Sequence, residues 1–196
     1  MQNNLFMIML WLVCGVTTVI AAVLAGRSRQ ARYIGRAAVS VLFIAGGALL
    51  HVINLANGAD YAGFADPSHF AWVTHAWNAV VVPNHVLLIG LLAVFEATAG
   101  VLTISGGRRT QLGYLAVIGF YLALWPFGWI EAVWVLIMLP AMLLLLRAER
   151  RAASATHGAG QMRMGKAPDN DCPIRYAHFH HINGPYRRTG TAPPRT

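Results

Sequence analysis

Charged residues are scarce in this 196-residue chain, and acidic residues are the scarcest of them. Asp, Glu, Lys and Arg together make up 11% of the chain, and only 7 residues are Asp or Glu; a soluble domain carries about 25% charged residues. Hydrophobic residues reach 57%, and the mean hydropathy is +0.52. This composition excludes an ordinary soluble enzyme and predicts a protein that lies in a lipid bilayer.

Cysteine is also nearly absent, and the usual catalytic motifs do not occur. The two cysteines, Cys14 in an apolar stretch and Cys172 in a polar one, exclude a disulfide framework. The sequence contains no haem-attachment motif, flavin motif, phosphate-binding loop or serine-hydrolase elbow. It therefore leaves open whether the protein is an enzyme.

Long apolar stretches dominate what is present, and they predict an all-α, polytopic transmembrane bundle of five helices. The predicted spans are residues 5–25, 37–56, 83–104, 112–126 and 129–146. The last two are separated because Pro126 and Gly128 break helices and the flanking tryptophans favour a membrane–water interface. We assign residues 1–151 to the bundle and residues 152–196 to a flexible, basic tail rich in Gly, Pro, Thr and His.

The chain carries a net charge of +8, and its basic residues outside the tail lie in short clusters that flank the apolar stretches. Such a distribution sets membrane topology and argues against nucleic acid as a partner. The loop at 57–82 contains no Lys or Arg. We therefore expect an inner bacterial membrane protein with its N-terminus outside and its tail in the cytoplasm. The clusters are Arg27, Arg29, Arg32 and Arg36; Arg108 and Arg109; and Arg147, Arg150 and Arg151.

Polar residues inside the predicted spans are costly in lipid, so they are the candidate functional residues. Glu96 lies deep in the third span, and His85 lies eleven residues earlier on the same helical face. Most of the others are expected near the outer surface, where they could line one pocket between helices. The full set of pocket candidates is His51, Asn54, Asn84, His85, Glu96, Tyr121, Trp125, Trp129 and Glu131.

A pocket of this composition suits a small molecule such as a quinone. A quinone head needs hydrogen-bond donors at its carbonyls and apolar walls, and His51 with Glu96 would supply a proton path. A second interpretation remains open, in which these groups only form hydrogen bonds between packed helices. His85 and Glu131 could equally lie at the water interface.

A metal site is not predicted. His69 and His75 are six residues apart, a spacing that does not place two ligands on one helical face. The tail contains metal-ligand types at a spacing that matches no closed zinc site, so we interpret them as solvated. These residues are Cys172, His178, His180 and His181.

Residues from about Tyr33 to Leu146 resemble the DoxX family of small bacterial membrane proteins. The resemblance rests on Arg36, Leu42-Phe43-Ile44-Ala45-Gly46, His51, the run Gly90 to Glu96, Gly100-Val101-Leu102, Gly107-Arg108-Arg109 and Trp125-Pro126. It implies a four-helix membrane core, to which this chain adds an N-terminal helix. Some members are associated with quinone-linked sulfur oxidation or redox-protection complexes. By this resemblance, Glu96 and His51 are the positions of greatest importance.

The leading hypothesis is a DoxX-like subunit or partner of a membrane redox complex that binds a quinone or a lipid-like molecule. The first alternative is a small transporter in which Glu96 couples transport and the last helix opens near Pro140. The second alternative is a scaffold without catalytic activity. The identity of the ligand and partner, and whether the chain forms a homo-oligomer, are left open by the sequence.

Overall fold

The chain folds into a bundle of long helices, and the computed structural model describes residues 2–165. Within these residues the α-helices are α1 (Gln2–Leu24), α2 (Arg29–Phe43), α3 (Leu50–Ala56), α4 (Ala71–Ala76), α5 (His85–Ile104), α6 (Gly107–Leu124) and α7 (Trp129–Gly165). Wider π-helical turns cover Ile44–Leu49 and Trp77–Val81, and 3₁₀ turns cover Val82–Asn84 and Trp125–Phe127. The same residues contain no β-strand.

Several of these elements join end to end, so the bundle consists of five helical rods that are long and apolar enough to cross a membrane. The predicted class, an all-α bundle with five candidate spans, is confirmed. Large apolar side chains face outward along the rods; Ile130 is 83% exposed and Leu136 is 75% exposed. Such apolar surfaces are compatible with contact to lipid. The helices also satisfy their own backbone hydrogen bonds, which a lipid environment requires. The rods are Met7–Leu24, Arg29–Ala56, Ala71–Ile104, Gly107–Phe127 and Trp129–Ala155.

The helical rods extend beyond the predicted spans. The second begins at Arg29 rather than residue 37, the third at Ala71 rather than 83, and the fourth helix at Gly107 rather than 112. Hydropathy locates only the apolar part of a helix, whereas its hydrogen-bonded turns continue into the polar interface. Ser28 caps the second rod, and Pro83 lies in a 3₁₀ turn that lets the third rod continue past it.

Helix α7 also continues beyond the predicted end of the bundle at residue 151. It passes Pro140 and runs to Gly165, so residues 152–165 are helical although they were assigned to the tail. This part is rich in alanine, the strongest helix former. The remaining tail, including Cys172, His178, His180 and His181, lies outside the described residues.

The rods pack as a closed ring, in which α1 contacts α2 and α7, α5 contacts α2 and α6, and α6 contacts α7. Val39, Tyr114, Val117, Met138 and Leu145 are almost completely buried at its centre. We call one end of the bundle the arginine end; it holds the α1–α2 and α5–α6 turns. The other is the aromatic end, formed by residues 57–70 and 125–128. Contacts such as the hydrogen bond from Ser68 Oγ to the Pro126 carbonyl (2.7 Å) close it.

A buried ion pair holds the arginine end together. Arg36, inside α2, donates to Glu149 of α7 through Nε (2.9 Å to Oε1) and through Nη2 to the second carboxylate oxygen. Glu149 is only 4% exposed. The guanidinium carbon also lies 5.0 Å from the centre of the Tyr33 ring. Arg36, assigned from the sequence to a topology-setting cluster, therefore has a specific packing role; the orientation of the bundle in the membrane stays a prediction.

Helices α5 and α6 approach closely at Gly113, where we make a first prediction. A Cβ at Gly113 would lie 2.6 Å from the backbone nitrogen of Thr103, whereas one at Gly119 on the same helix meets no atom within 4 Å. Gly113→Ala should therefore destabilise the protein by about 2 kcal/mol. Gly119→Ala should be neutral or stabilising by up to about 1 kcal/mol. Thermal denaturation in detergent measures both, and equal effects of the two would contradict the proposed close approach.

Candidate functional site: a buried carboxylate in an aromatic cavity

A cavity of about 510 Å³ lies between the helices and contains the buried carboxylate of Glu96. Its walls come from the second rod, α5, α6 and α7, with Trp11 of α1 and residues of the aromatic end completing them. Most of the lining is aromatic or aliphatic, and the few polar groups include His51, Asn54, Tyr61 and Tyr121. A cavity of this size, with apolar walls and a few convergent polar groups, is typical of small-molecule sites.

The π-helical turn at Ile44–Leu49 makes room for the carboxylate. Its sequence contains Gly46 and Gly47, and a Cβ at Gly47 would lie 2.7 Å from the carboxyl carbon of Glu96. The carbonyl of Gly46 accepts a hydrogen bond of 3.1 Å from the indole nitrogen of Trp11. Single π turns inside helices are frequent at functional sites, because they change which side chains and carbonyls face a cavity.

Glu96 and His51 face each other across this cavity. His51 Nε2 lies 3.6 Å from Glu96 Oε2, and Glu96 is 4% exposed. At this distance the two atoms interact electrostatically, and Glu96 Oε2 has no hydrogen-bond partner among the described residues. Buried polar atoms are almost always hydrogen-bonded, so an unpartnered carboxylate oxygen that lines a cavity indicates a place for a ligand or water.

The other nitrogen of His51 is held by Tyr61. The distance from His51 Nδ1 to the Tyr61 hydroxyl is 3.0 Å. With the hydroxyl donating to Nδ1, the neutral imidazole carries its proton on Nε2, directed at Glu96. Burial raises the pKa of Tyr61, so its hydroxyl stays protonated near neutral pH and can serve as this donor.

Tyr61 itself is fixed in an unusual backbone conformation. Its φ angle is 58°, and among the described residues it is the one non-glycine residue with positive φ. The Tyr61 carbonyl accepts a 2.9 Å hydrogen bond from the indole of Trp77. Positive φ costs free energy for a residue with a bulky side chain, so surrounding contacts must maintain it. Here the result is a hydroxyl placed directly against His51.

Tyr121 places a second buried polar atom beside the cavity. Its side chain is 2% exposed, and its hydroxyl has no hydrogen bond of normal geometry within the described residues. The Phe43 ring packs against it at 6.0 Å between ring centres, in an edge-to-face arrangement. The cavity is therefore bordered by two buried oxygen atoms, the Tyr121 hydroxyl and Glu96 Oε2, that make no hydrogen bond of normal geometry within the described residues; Trp134 is the polar neighbour of the first and His51 that of the second.

The structure brings together four of the nine sequence-predicted site residues. His51, Asn54, Glu96 and Tyr121 line the cavity, and the remaining five do not. The expectation of one pocket for all nine is thus corrected. The five residues outside are Asn84, His85, Trp125, Trp129 and Glu131.

Each of these five residues has a local environment that keeps it out of the cavity. Asn84 is exposed and donates to the Val80 carbonyl at 2.9 Å, and His85 Nδ1 lies 2.8 Å from the Val82 carbonyl. The prediction of one pocket was based on similar depth in the membrane and on helical spacing. Neither property indicates which hydrogen bonds a side chain makes with its own helix turn.

The other three lie at the aromatic end. Trp125 and Trp129 are exposed, and Glu131 lies in the first turn of α7, where a negative charge is favourable. Trp129 and Glu131 line a separate groove between α1 and α7.

Sequence reasoning missed the aromatic residues that complete the site: Trp11, Phe43, Tyr61, Phe64, Trp77, Phe120, Phe127 and Trp134. The dense aromatic content of residues 57–82 was a signal, but a loop residue cannot be assigned to a cavity from hydropathy. Within residues 2–165, no group of three His, Cys, Asp or Glu side chains could hold a metal ion.

The fold defines the class of this protein: a multi-pass helical protein compatible with a lipid bilayer. Comparison of the chain with protein-family models, with curated proteins and with solved structures finds no match. The resemblance to the DoxX family therefore stays a prediction.

Proposed function

We propose that the protein is a DoxX-like membrane protein that binds a quinone or a similar lipid-like molecule in the cavity around Glu96, as a subunit or partner of a membrane redox complex. The observation that carries the proposal is the pair of buried polar atoms, Glu96 Oε2 and the Tyr121 hydroxyl, which make no hydrogen bond of normal geometry within the described residues and lie beside a cavity of about 510 Å³. Leaving such groups without partners costs about 1–3 kcal/mol each. A ligand with two polar atoms would remove this cost.

The residues present fit a quinone head group. Quinone carbonyls accept hydrogen bonds, and Tyr121 can donate to one of them through its hydroxyl. A protonated Glu96, or the Nε2–H of His51, can donate to the other. The aromatic walls, among them Phe43 and Phe120, provide flat apolar surfaces for the ring.

Protons would reach this site from the aromatic end. Glu96, His51 and Tyr61 form a row in which consecutive polar atoms are 3.6 Å and 3.0 Å apart. Tyr61 belongs to the segment that follows α3, next to the exposed Asp60. Histidine can accept a proton on one nitrogen and release one from the other, which suits it to relay protons between Tyr61 and Glu96.

Binding of a tail-less benzoquinone tests the proposal. Glu96→Leu removes the carboxyl group at similar volume, and it should weaken binding at least about tenfold, equivalent to 1.4 kcal/mol. Glu96→Gln retains a hydrogen-bond donor and should bind the benzoquinone with an affinity within about threefold of the wild type. The amide of the glutamine should no longer exchange protons with His51. The ligand-dependent rise in melting temperature gives the affinities.

Two control variants carry the same chemical changes outside the cavity. Glu131→Gln alters a carboxylate in the first turn of α7, and His85→Ala alters a histidine bonded to its own helix turn. Both should bind the tail-less benzoquinone as the wild type does, whereas His51→Ala should bind it more weakly. Unchanged binding in both Glu96→Leu and His51→Ala would refute the proposed site.

A further inference from the structure

A second cavity of about 740 Å³ forms a groove between α1 and α7. On α1 it is bounded by residues such as Leu12 and Val16, and on α7 by Val133 and Ile137. These four residues are between 51% and 57% exposed, so they face the surroundings of the bundle. Among the described residues, Glu131 is the one charged residue of the groove lining. The groove therefore presents an apolar channel along the outside of the bundle.

The groove and the cavity around Glu96 share a wall. Four residues line both: Trp11, Phe64, Leu124 and Trp134. The rings of Trp11 and Trp134 lie 5.7 Å apart, and Trp11 is held by its hydrogen bond to the Gly46 carbonyl. Gly15 lets Trp134 pack directly against α1, since a Cβ there would lie 2.5 Å from the indole. This aromatic pair forms the boundary between the inner cavity, with its few polar groups, and the apolar exterior groove.

The inner cavity restricts the chemistry of a head group. Its lining contains no Lys or Arg among the described residues, and its acidic group is Glu96. A phosphate placed there would have no fixed cation to pair with, which is unfavourable in an apolar site. A neutral head with carbonyl or hydroxyl groups meets no such penalty and can pair with Glu96 and Tyr121.

We propose that the groove between α1 and α7 holds the apolar tail of the molecule whose head lies beside Glu96, so that the ligand is a neutral, single-tailed lipid that reaches the cavity from the bilayer past Trp11 and Trp134. This inference rests on the proposed function, because it assumes a head group in the inner cavity. Because the two cavities adjoin through four shared wall residues, we assign the tail of the same molecule as the occupant of the groove.

Two neighbouring residues of α7 provide a matched test of the groove. Ile137 lines it and is 52% exposed, whereas Leu136 is 75% exposed and lines neither cavity. Ile137→Trp should fill the groove, and Leu136→Trp should add the same bulk elsewhere on the outer face. Both side chains face outward, so both variants are expected to fold. Circular dichroism and gel filtration verify this before binding is measured.

The probes are a tail-less dimethoxy-methyl-benzoquinone and the same head with a decyl tail, added to full-length protein in phosphatidylcholine nanodiscs. Affinities are expressed relative to the probe concentration in the bilayer. In the bilayer the decyl tail is already in an apolar medium, so its binding to the groove is stabilised mainly by packing contacts. Wild type and Leu136→Trp should bind the decyl probe at least about fivefold more tightly than the tail-less one. In Ile137→Trp this preference should disappear, while binding of the tail-less probe is unchanged.

The outcomes separate this inference from the proposed function. Binding of both probes with equal affinity in the wild type would overturn the tail groove and leave the head-group site intact. If neither probe binds the wild type, both proposals fail. A decyl phosphate that competes as well as the decyl quinone would overturn the assignment of a neutral head.

Discussion

Replacing Arg36 with methionine is expected to lower the free energy of unfolding by about 3 kcal/mol. The guanidinium makes two hydrogen bonds to Glu149, which is 4% exposed. Methionine leaves that carboxylate buried without its cation, and an uncompensated buried charge is among the most destabilising single changes known. The melting temperature in detergent, with a denaturant titration to convert it into free energy, measures the effect.

The double variant Arg36→Met, Glu149→Met tests the cause of the stability loss in Arg36→Met. The loss could come from the unpaired carboxylate of Glu149 or from the packing contacts that Arg36 no longer makes. Because the double variant removes both charges, we expect it to recover most of the lost stability. Arg27→Met serves as the control, since Arg27 is exposed at the α1–α2 turn and its loss should change stability by less than about 0.5 kcal/mol. A double variant no more stable than Arg36→Met alone would contradict this explanation of the arginine end.

The difference between Arg36 and Arg27 shows what a sequence reveals about charges in a membrane protein. Both belong to one cluster, and the cluster as a whole predicts topology through its number of basic residues. Only packing distinguishes the arginine that enters α2 and meets Glu149, 113 residues away, from the arginine that stays in solvent. Glu149 is a single acid among Arg147, Arg150 and Arg151, and its sequence position alone predicts no specific role for it.

The five spans were predictable because each contains a run of apolar residues of membrane length, and this property needs no knowledge of neighbours. The ends of the helices could not be predicted in this way, because α-helical hydrogen bonding continues through polar residues at an interface. The third rod shows this most clearly: it begins at Ala71, and the π turn Trp77–Val81 and the 3₁₀ turn Val82–Asn84 carry it past Pro83. Local turns of this kind accommodate a residue that has no amide hydrogen.

The centre of the site was predictable for a similar reason. Glu96 and His51 are ionisable residues within apolar runs, and such residues seldom face lipid. Their distance of 3.6 Å supports the expectation that they face each other. Tyr61 could not be found in this way, because its position depends on a backbone with positive φ and on the hydrogen bond from Trp77.

Gly47 permits the second large effect that we predict. Gly47→Ala would place a methyl group 2.7 Å from the carboxyl carbon and from Oε2 of Glu96, so the carboxyl group must move. The moving atoms are the end of a side chain rather than backbone, and therefore stability should fall by no more than about 1 kcal/mol. Ligand binding should fall by roughly tenfold or more, because a site loses function when its groups are displaced by about 1 Å.

A small loss of stability together with a larger loss of ligand binding is therefore the result expected for Gly47→Ala. Gly90→Ala is the matched control, since a Cβ at Gly90 on α5 meets no atom within 4 Å, and it should alter neither property. Melting temperatures with and without the tail-less benzoquinone report both quantities in one experiment. If Gly47→Ala bound the quinone as the wild type does, the position of the Glu96 carboxyl group would not matter for binding. If it instead unfolded the protein, Gly47 would serve helix packing, and the π turn Ile44–Leu49 would have no special relation to the site.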